Sequence, residues 1–314
     1  MNLFEDALKT TNEYGIVERV QYPLCYVSAL PSARVNDTVY FEDSSLGRVI
    51  GLKKELVEIV SFSPNPPIVS KRVAYSGKSF MFGVGDDLLG KVVDPLGYSL
   101  VDSQSVVASD YFPLDAKPLE ISKRNKIKKQ FLTGVSIIDS LVPLGFGQRE
   151  LILGDRKTGK SSLVIPLIQS ALMQGVVVVY CGIGKRAVEL KKIRTSLENL
   201  HLLDKVCMVA SKSDSNPALI ELTPFSGMAL CEYFRSKKIS TLLILDDLST
   251  HAKAYREISL TAKRFPGRDS YPGDIFFKHS KLLERGGNFT DGEGGEVSIT
   301  ILPVAETYEG NLSD

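Results

Sequence analysis

The 314-residue sequence is short of most features that would mark a special environment. It has four cysteines, Cys25, Cys181, Cys207 and Cys231, spread so widely that no C-x-x-C pair occurs. That spacing argues against zinc knuckles and a disulfide scaffold, and a reducing compartment fits it best. Long apolar runs are missing too. Val176–Val179 falls far short of the ~20 residues that cross a bilayer. The opening MNLFEDALKT carries acids and no apolar core, so it does not read as a secretory signal. An excess of either charge is also lacking: 38 Lys+Arg face 37 Asp+Glu. A chain this balanced is not, as a whole, a polyelectrolyte for nucleic acid or acidic membranes. Tryptophan is absent, which excludes nothing. His201, His251 and His279 are scattered along the sequence and read as surface or core polar residues.

What is present is a large apolar fraction, 43%, enough to bury the core of one large domain and a smaller one. Residues 1–84 read as short strands. Tyr14–Val20, Leu24–Ser28, Thr38–Phe41, Leu46–Leu52 and Leu56–Phe62 are β-branched or aromatic runs. Pro23, Pro31, Asn36-Asp37, Gly47 and Gly51 interrupt them, and such close spacing predicts a small barrel. Residues 85–314 have another texture. After a mostly loop-like stretch at 103–130, strands at Glu150–Leu153, Val176–Tyr180, Lys205–Ala210, Thr241–Leu245 and Val297–Leu302 are expected. Helices at Lys160–Gln174, Ala187–Leu200, Pro217–Ser236 and Ala252–Ala262 fall between them. Apolar strands separated by helices predict an α/β domain whose mostly parallel sheet is covered on both faces.

The sharpest motif is Gly154-Asp155-Arg156-Lys157-Thr158-Gly159-Lys160-Ser161, a match to G-x-x-x-x-G-K-[ST] between a strand and a helix. Glycines let the backbone curl so that its N–H groups face phosphate oxygens, and the helix N-terminus adds partial positive charge. Residues 154–162, Ser162 included, are therefore the candidate nucleotide cradle. Lys160 is expected on the β- and γ-phosphates, and the Ser161 hydroxyl on Mg²⁺. The run TLLILDD at 241–247 is a buried strand ending in acid, which makes Asp246 the second candidate Mg²⁺ ligand. Pro166 falls inside the expected helix, where a proline costs ~3 kcal/mol. A kink is the expectation, and a distorted nucleotide site is the alternative.

Several longer segments carry a resemblance. LTGVSIIDSLVPLGFGQRELILGDRKTGKS, DDLSTHAKAYREISLTAKRFPGRDSYPGDIFFKHSKLLER, LLGKVVDPLGYSL and LPVAET are similar to stretches of the alpha/beta family of rotary ATP synthases. Pro266-Gly267-Arg268 and Tyr271-Pro272-Gly273-Asp274 resemble its alpha-type members. The likeness is strong after residue 131 and loose before residue 85. It implies an N-terminal β-barrel and a RecA-like P-loop domain. It also implies ATP or ADP with Mg²⁺, beta-type and central-shaft partners in a ring, and no nucleic acid. Any tie to the membrane would run through the complex alone. The implied location is peripheral, on the cytoplasmic side of a bacterial inner membrane, in a mitochondrial matrix or in a plastid stroma.

Departures from the family pattern shape the functional expectation. Catalytic beta-type chains carry glutamate in a G-x-G-E-R run, and alpha-type chains usually carry glutamine there. Here Cys181-Gly182-Ile183-Gly184-Lys185-Arg186 puts Lys185 at that place. An ammonium cannot act as a base toward water at neutral pH. Lys185 is expected either to pair with a phosphate, which adds it to the nucleotide-binding set, or to face solvent. Lys157 stands where alpha-type chains usually have glutamine. The family's longer N-terminal helix, last sheet strands, inter-subunit arginine and helical domain have no counterpart here, so a second chain completing the fold is an expectation. No residue is assigned a catalytic role. The competing readings are an export-type ATPase acting alone as a homohexamer, with Glu189 as substitute acid, and a degenerate alpha paralogue. A nucleic-acid motor would lean on the basic run Lys123–Lys129, which lacks interleaved aromatics. Arg268, Asp269 and Glu306 have equal structural and functional readings.

Overall fold

The computed structural model describes residues 2–102, 104–156, 158–267 and 270–310. Contacts gather the chain into two compact units. One holds Met1–Met81 with Ser215–Glu221 and Lys253–Gly273; the other holds Phe82–Asp214, Leu222–Ala252 and Asp274–Asp314.

The first unit opens with helix α1 (Leu3–Thr11). The Asn2 side chain accepts from the Glu5 amide at its start, and Asn12, at φ 52°, ends it. Six strands follow: β1 (Tyr14–Gln21), β2 (Leu24–Ser28), β3 (Asp37–Phe41), β4 (Leu46–Leu52), β5 (Val57–Ser61) and β6 (Arg72–Ser79). They close into a barrel in the order β1-β2-β5-β4-β3-β6. Five lie on the β-branched runs within a residue or so. The sixth, β6, has no such pattern in its second half, Ser76-Gly77-Lys78-Ser79. It pairs with both β1 and β3, and so removes the two open edges that five strands would leave. Val17, Val27, Val39, Val49, Ile59 and Val73 fill the interior, fully or almost fully buried. Such side chains each contribute about 1.5–3 kcal/mol to folding.

Further along run β7 (Met81–Val84), β8 (Val92–Val93), β9 (Asp110–Pro113), β10 (Gln130–Phe131) and β11 (Leu144–Gly145). β7 pairs with β9, and β10 with β11, as two small ribbons. The main sheet takes β8 together with β12 (Ile152–Gly154), β13 (Val177–Lys185), β14 (Val206–Lys212), β15 (Thr241–Asp246), β16 (Gly287–Thr290) and β17 (Glu296–Glu306). Its order is β12-β17-β15-β13-β14-β8, parallel throughout, with β16 added antiparallel to β17. The α/β fold with a mostly parallel sheet after a small barrel is thus present.

The helices are α2 (Ser136–Leu141), α3 (Val164–Met173), α4 (Ala187–Asn199), α5 (Pro217–Ser236), α6 (Leu248–Thr261) and α7 (Ile275–Leu283). Successive strand residues point to opposite faces, so one strand serves two helical layers. Val178, Tyr180, Met208 and Ile244 pack with Leu167 and Ile168 of α3 and Leu190 of α4. The alternate residues Val179, Cys181 and Leu243 meet α5 at Gly227. A Cβ there would stand 2.1 Å from Cys181 Sγ. Gly227, a poor helix former by propensity, is what lets α5 approach the sheet. α6 starts before Ala252 because Asp247 Oδ1 accepts the Thr250 amide at 2.6 Å, a helix cap.

Pro166 does not fall in the middle of a regular helix. The segment after the phosphate motif is a 3₁₀ turn, Lys160–Leu163, followed by α3. Pro166 is the third residue of α3, within the first turn, where backbone N–H groups have no intrahelical acceptor anyway. The sheet unit also holds a buried ion pair. Arg285 Nε and Nη2 donate to the two Glu232 oxygens at 3.0 and 2.7 Å, and Nη1 donates to the Leu114 carbonyl at 2.8 Å. Among the described residues no helix is long and apolar enough to cross a membrane.

Candidate nucleotide site

Parallel order places the carboxyl ends of β12, β17, β15 and β13 side by side along one edge of the sheet. Open α/β sheets bind ligands at that edge. The four ends carry Gly154, Glu306, Asp246 and Lys185. With strands ~4.8 Å apart, β12 and β15 are separated by about 10 Å, the scale of a triphosphate chain and its surroundings. Residues 92 positions apart in sequence, Gly154 and Asp246, therefore face one locale.

Between β12 and the 3₁₀ turn, the described residues Asp155, Arg156, Thr158 and Gly159 form a loop. Thr158 Oγ1 donates to the Asp155 carbonyl at 2.7 Å, closing the loop on itself. Gly159 has φ +94°, and a Cβ built there meets nothing within 4 Å. Glycine is required at 159 for its backbone angle, not for lack of room, and the open space beside it suits a bound anion. The Lys160 ammonium donates to the carbonyls of Gly154 and Asp155, so it sits under the loop at the mouth of the strand. Ser161 and Ser162 are exposed on the 3₁₀ turn. Lys157 lies outside the described residues, as do Arg268 and Asp269.

The loop is tied to the end of β17. Asp155 Oδ1 accepts the Thr307 hydroxyl at 2.5 Å and the Gly310 amide at 3.0 Å, and these bonds hold its carboxyl below the usual range. Arg156 Nε lies 3.1 Å from Glu306 Oε2. Glu306 is thus a partner of the phosphate loop, a role its sequence position left open.

Lys185 does not face solvent but turns toward the neighbouring strand end. Its ammonium stands 2.6 Å from Asp246 Oδ1, with the two side chains 16% and 4% exposed. Asp246 Oδ2 accepts the Tyr180 hydroxyl at 2.9 Å. Tyr180 is fully buried, and burial first, then the Asp246 charge, pushes its phenol well above the usual value, so it stays a neutral donor. The route to this pair is visible in the backbone. β13 slips register against β14 between Gly182 and Lys185, and Gly184 takes φ +60°. β13 and β15 are direct neighbours, with Gly182 opposite Asp246.

Other candidates are engaged elsewhere. Glu189 accepts from Arg186 Nε at 3.1 Å and caps α4 through the Arg186 amide, and the Arg186 bond holds its carboxyl below the usual range. Within the basic run, Arg124 Nη1 donates to the Gly286 carbonyl at 3.0 Å and its guanidinium lies 5.2 Å from the Phe289 ring. Lys129 stacks its ammonium 4.7 Å from the Phe146 ring. Two of the scattered histidines meet: His251 Nδ1 and His279 Nε2 are 2.9 Å apart, and burial pulls His279 down to about 4. All four cysteines are buried free thiols. Among the described residues no group of three His, Cys, Asp or Glu side chains could hold a metal ion.

The profile described as "ATP synthase alpha/beta family, nucleotide-binding domain" matches residues 134–314, the part of the chain that contains this edge. The chain belongs to that family. Its relatives include "ATP synthase subunit alpha" of Dictyoglomus thermophilum, 37% identical over 300 residues, 95% of this chain and 59% of that protein. "ATP synthase subunit alpha 2" of Syntrophotalea carbinolica is also 37% identical over 300 residues, 95% of this chain and 57% of its own length. "ATP synthase subunit alpha 2" of Gluconobacter oxydans is 36% identical over 305 residues, 96% of this chain and 60% of its own. The chain therefore spans about three fifths of these relatives' length.

An ATP synthase alpha/beta nucleotide-binding domain implies a nucleotide and a metal ion, and the residues fit the two unequally. The glycine curl, the open space at Gly159 and Lys160 suit phosphates. The metal half fits poorly at Asp246. One of its oxygens is held by an ammonium and the other by a phenol, in a place with 4% exposure.

Proposed function

We propose that the chain is an alpha-type, non-catalytic nucleotide-binding subunit of a proton-translocating rotary ATP synthase, with residues 1–84 and 85–314 as its two domains. ATP or ADP would lie with its phosphates over residues 154–162 and Lys160, a cradle of backbone N–H groups at a helix start. The observation that carries the non-catalytic reading is the Lys185–Asp246 pair. Hydrolysis needs a group that takes a proton from water, and the end of β13 offers a cation already committed to a carboxylate. Glu189, the nearest substitute in sequence, is held by Arg186 and lowered in basicity.

Beta-type and central-shaft subunits are the partners this reading brings, with a second polypeptide supplying further family elements. Nucleic acid has no part in it. The complex would be peripheral to a bacterial inner, mitochondrial or plastid membrane. Magnesium at Ser161 and Asp246 is the component with least support from the side chains.

The test is equilibrium binding of a fluorescent ATP analogue, with Lys160→Ala as control. Wild type should bind, and Lys160→Ala should lose about 100-fold or more in affinity while keeping its melting temperature within about 2 °C. The wild-type chain alone should show no turnover above the Lys160→Ala background. Turnover abolished by Lys160→Ala would refute the non-catalytic assignment and favour the homohexameric ATPase.

A further inference from the structure

The Lys185–Asp246 pair bears on more than catalysis. A strand-end aspartate in a phosphate-loop protein ordinarily holds a hydrated divalent cation, whose waters it orients as a hydrogen-bond acceptor. Here three features of the site oppose that. Asp246 is almost wholly buried, so it reaches only groups brought to it. Its Oδ2 accepts the hydroxyl of Tyr180, which is itself fully buried in the packed layer of Val178, Met208 and Ile244. Its Oδ1 takes the Lys185 ammonium at 2.6 Å. A hydrated dication between Asp246 and a phosphate would stand about 4–5 Å from the carboxylate, close enough for direct repulsion by that ammonium. The positive charge that the metal ordinarily supplies beside the strand-end aspartate is present already, built into β13.

We propose that this phosphate loop takes its nucleotide as the metal-free anion, with Lys185 serving as the fixed counter-cation at Asp246 in place of magnesium. This rests on the reading of residues 154–162 as a nucleotide site. Phosphate recognition then falls to the backbone curl and Lys160. Lys185 is a specificity-determining residue for the charge state of the ligand.

The experiment is titration of the full chain with N-methylanthraniloyl-ATP, once in excess EDTA and once in millimolar magnesium. Wild type should show dissociation constants within about threefold of each other in the two conditions. Lys185→Gln removes the cation but keeps a polar side chain, and magnesium should then tighten its binding by about tenfold or more. Lys185→Arg retains a cation and should behave as wild type. A wild-type affinity that falls about tenfold or more in EDTA overturns the inference, and this comparison needs no variant to fold. If the wild type binds the probe in neither condition, the nucleotide reading itself falls and takes the inference with it. Binding that demands magnesium sinks the inference alone.

Discussion

Replacing Lys185 by glutamine, Asp246 by asparagine, and both together measures how much the strand-end pair contributes to the sheet unit. Unit charges 2.6 Å apart attract by about 6 kcal/mol at an effective dielectric near 20. Most of that gross attraction offsets the desolvation of Asp246, whose side chain is 4% exposed. What matters in a single variant is the partner left behind. Lys185→Gln strands a buried carboxylate, a situation that typically costs 3–5 kcal/mol. Lys185 is 16% exposed and partly screened, so the lower end, about 3 kcal/mol, is expected. Asp246→Asn keeps an acceptor for Tyr180 and frees an ammonium that can reach water, and should cost about 1–2 kcal/mol. The double variant should sit within about 1.5 kcal/mol of wild type, giving a coupling of about 2.5–5 kcal/mol. The assay is thermal and urea denaturation followed by circular dichroism, with the two units allowed separate transitions. About 3 kcal/mol corresponds to a fall of roughly 6–12 °C for a unit of this size. A coupling below about 0.5 kcal/mol would refute the pair, and with it the argument that Asp246 is already neutralised.

Other consequences concern groups away from the phosphate loop. Arg285→Met leaves Glu232 buried without its bidentate partner and should cost about 3–5 kcal/mol, most of it recovered in Arg285→Met/Glu232→Leu; the denaturation midpoints of the pair of variants check this. Gly227→Ala drives a methyl group into Cys181 Sγ and should cost about 1–3 kcal/mol, where an unchanged midpoint would show that α5 does not pack so closely. His279 binds a proton in the folded chain only near about 4, against ~6.5 when unfolded. Above ~6.5 neither state is protonated. As pH falls the unfolded chain takes the proton first, so stability drops between ~6.5 and about 4, by up to about 3 kcal/mol, and then levels off. A stability difference between wild type and His279→Gln that does not change across this pH window would contradict the burial of the His251–His279 pair.

Much of this protein is written in local sequence. β-branched runs broken by proline, glycine and asparagine define five barrel strands, because a half-buried strand needs that alternation wherever it lies. The phosphate loop is legible for the same reason: Gly159 must take φ +94° and Lys160 must follow it, and no distant residue changes those demands. The apolar strand ending at Asp246 is legible too. Elements whose form depends on distant partners carry no such signal. β6 is a strand because β1 and β3 both need a neighbour, and its own Gly77 and polar end argue otherwise. Pro166 predicts a kink only if the helix starts at Lys160; the 3₁₀ turn moves the start and makes the proline harmless. The decisive feature, Lys185 on Asp246, joins residues 61 apart. It exists because topology sets β13 beside β15 and a register slip at Gly182–Lys185 swings the lysine across. Composition and motif fixed which groups the chain owns, since those follow from residue type and backbone angle alone. Which charge neutralises which was decided by strand order and burial, because pairing energies depend on distance and dielectric, and both are properties of the folded chain.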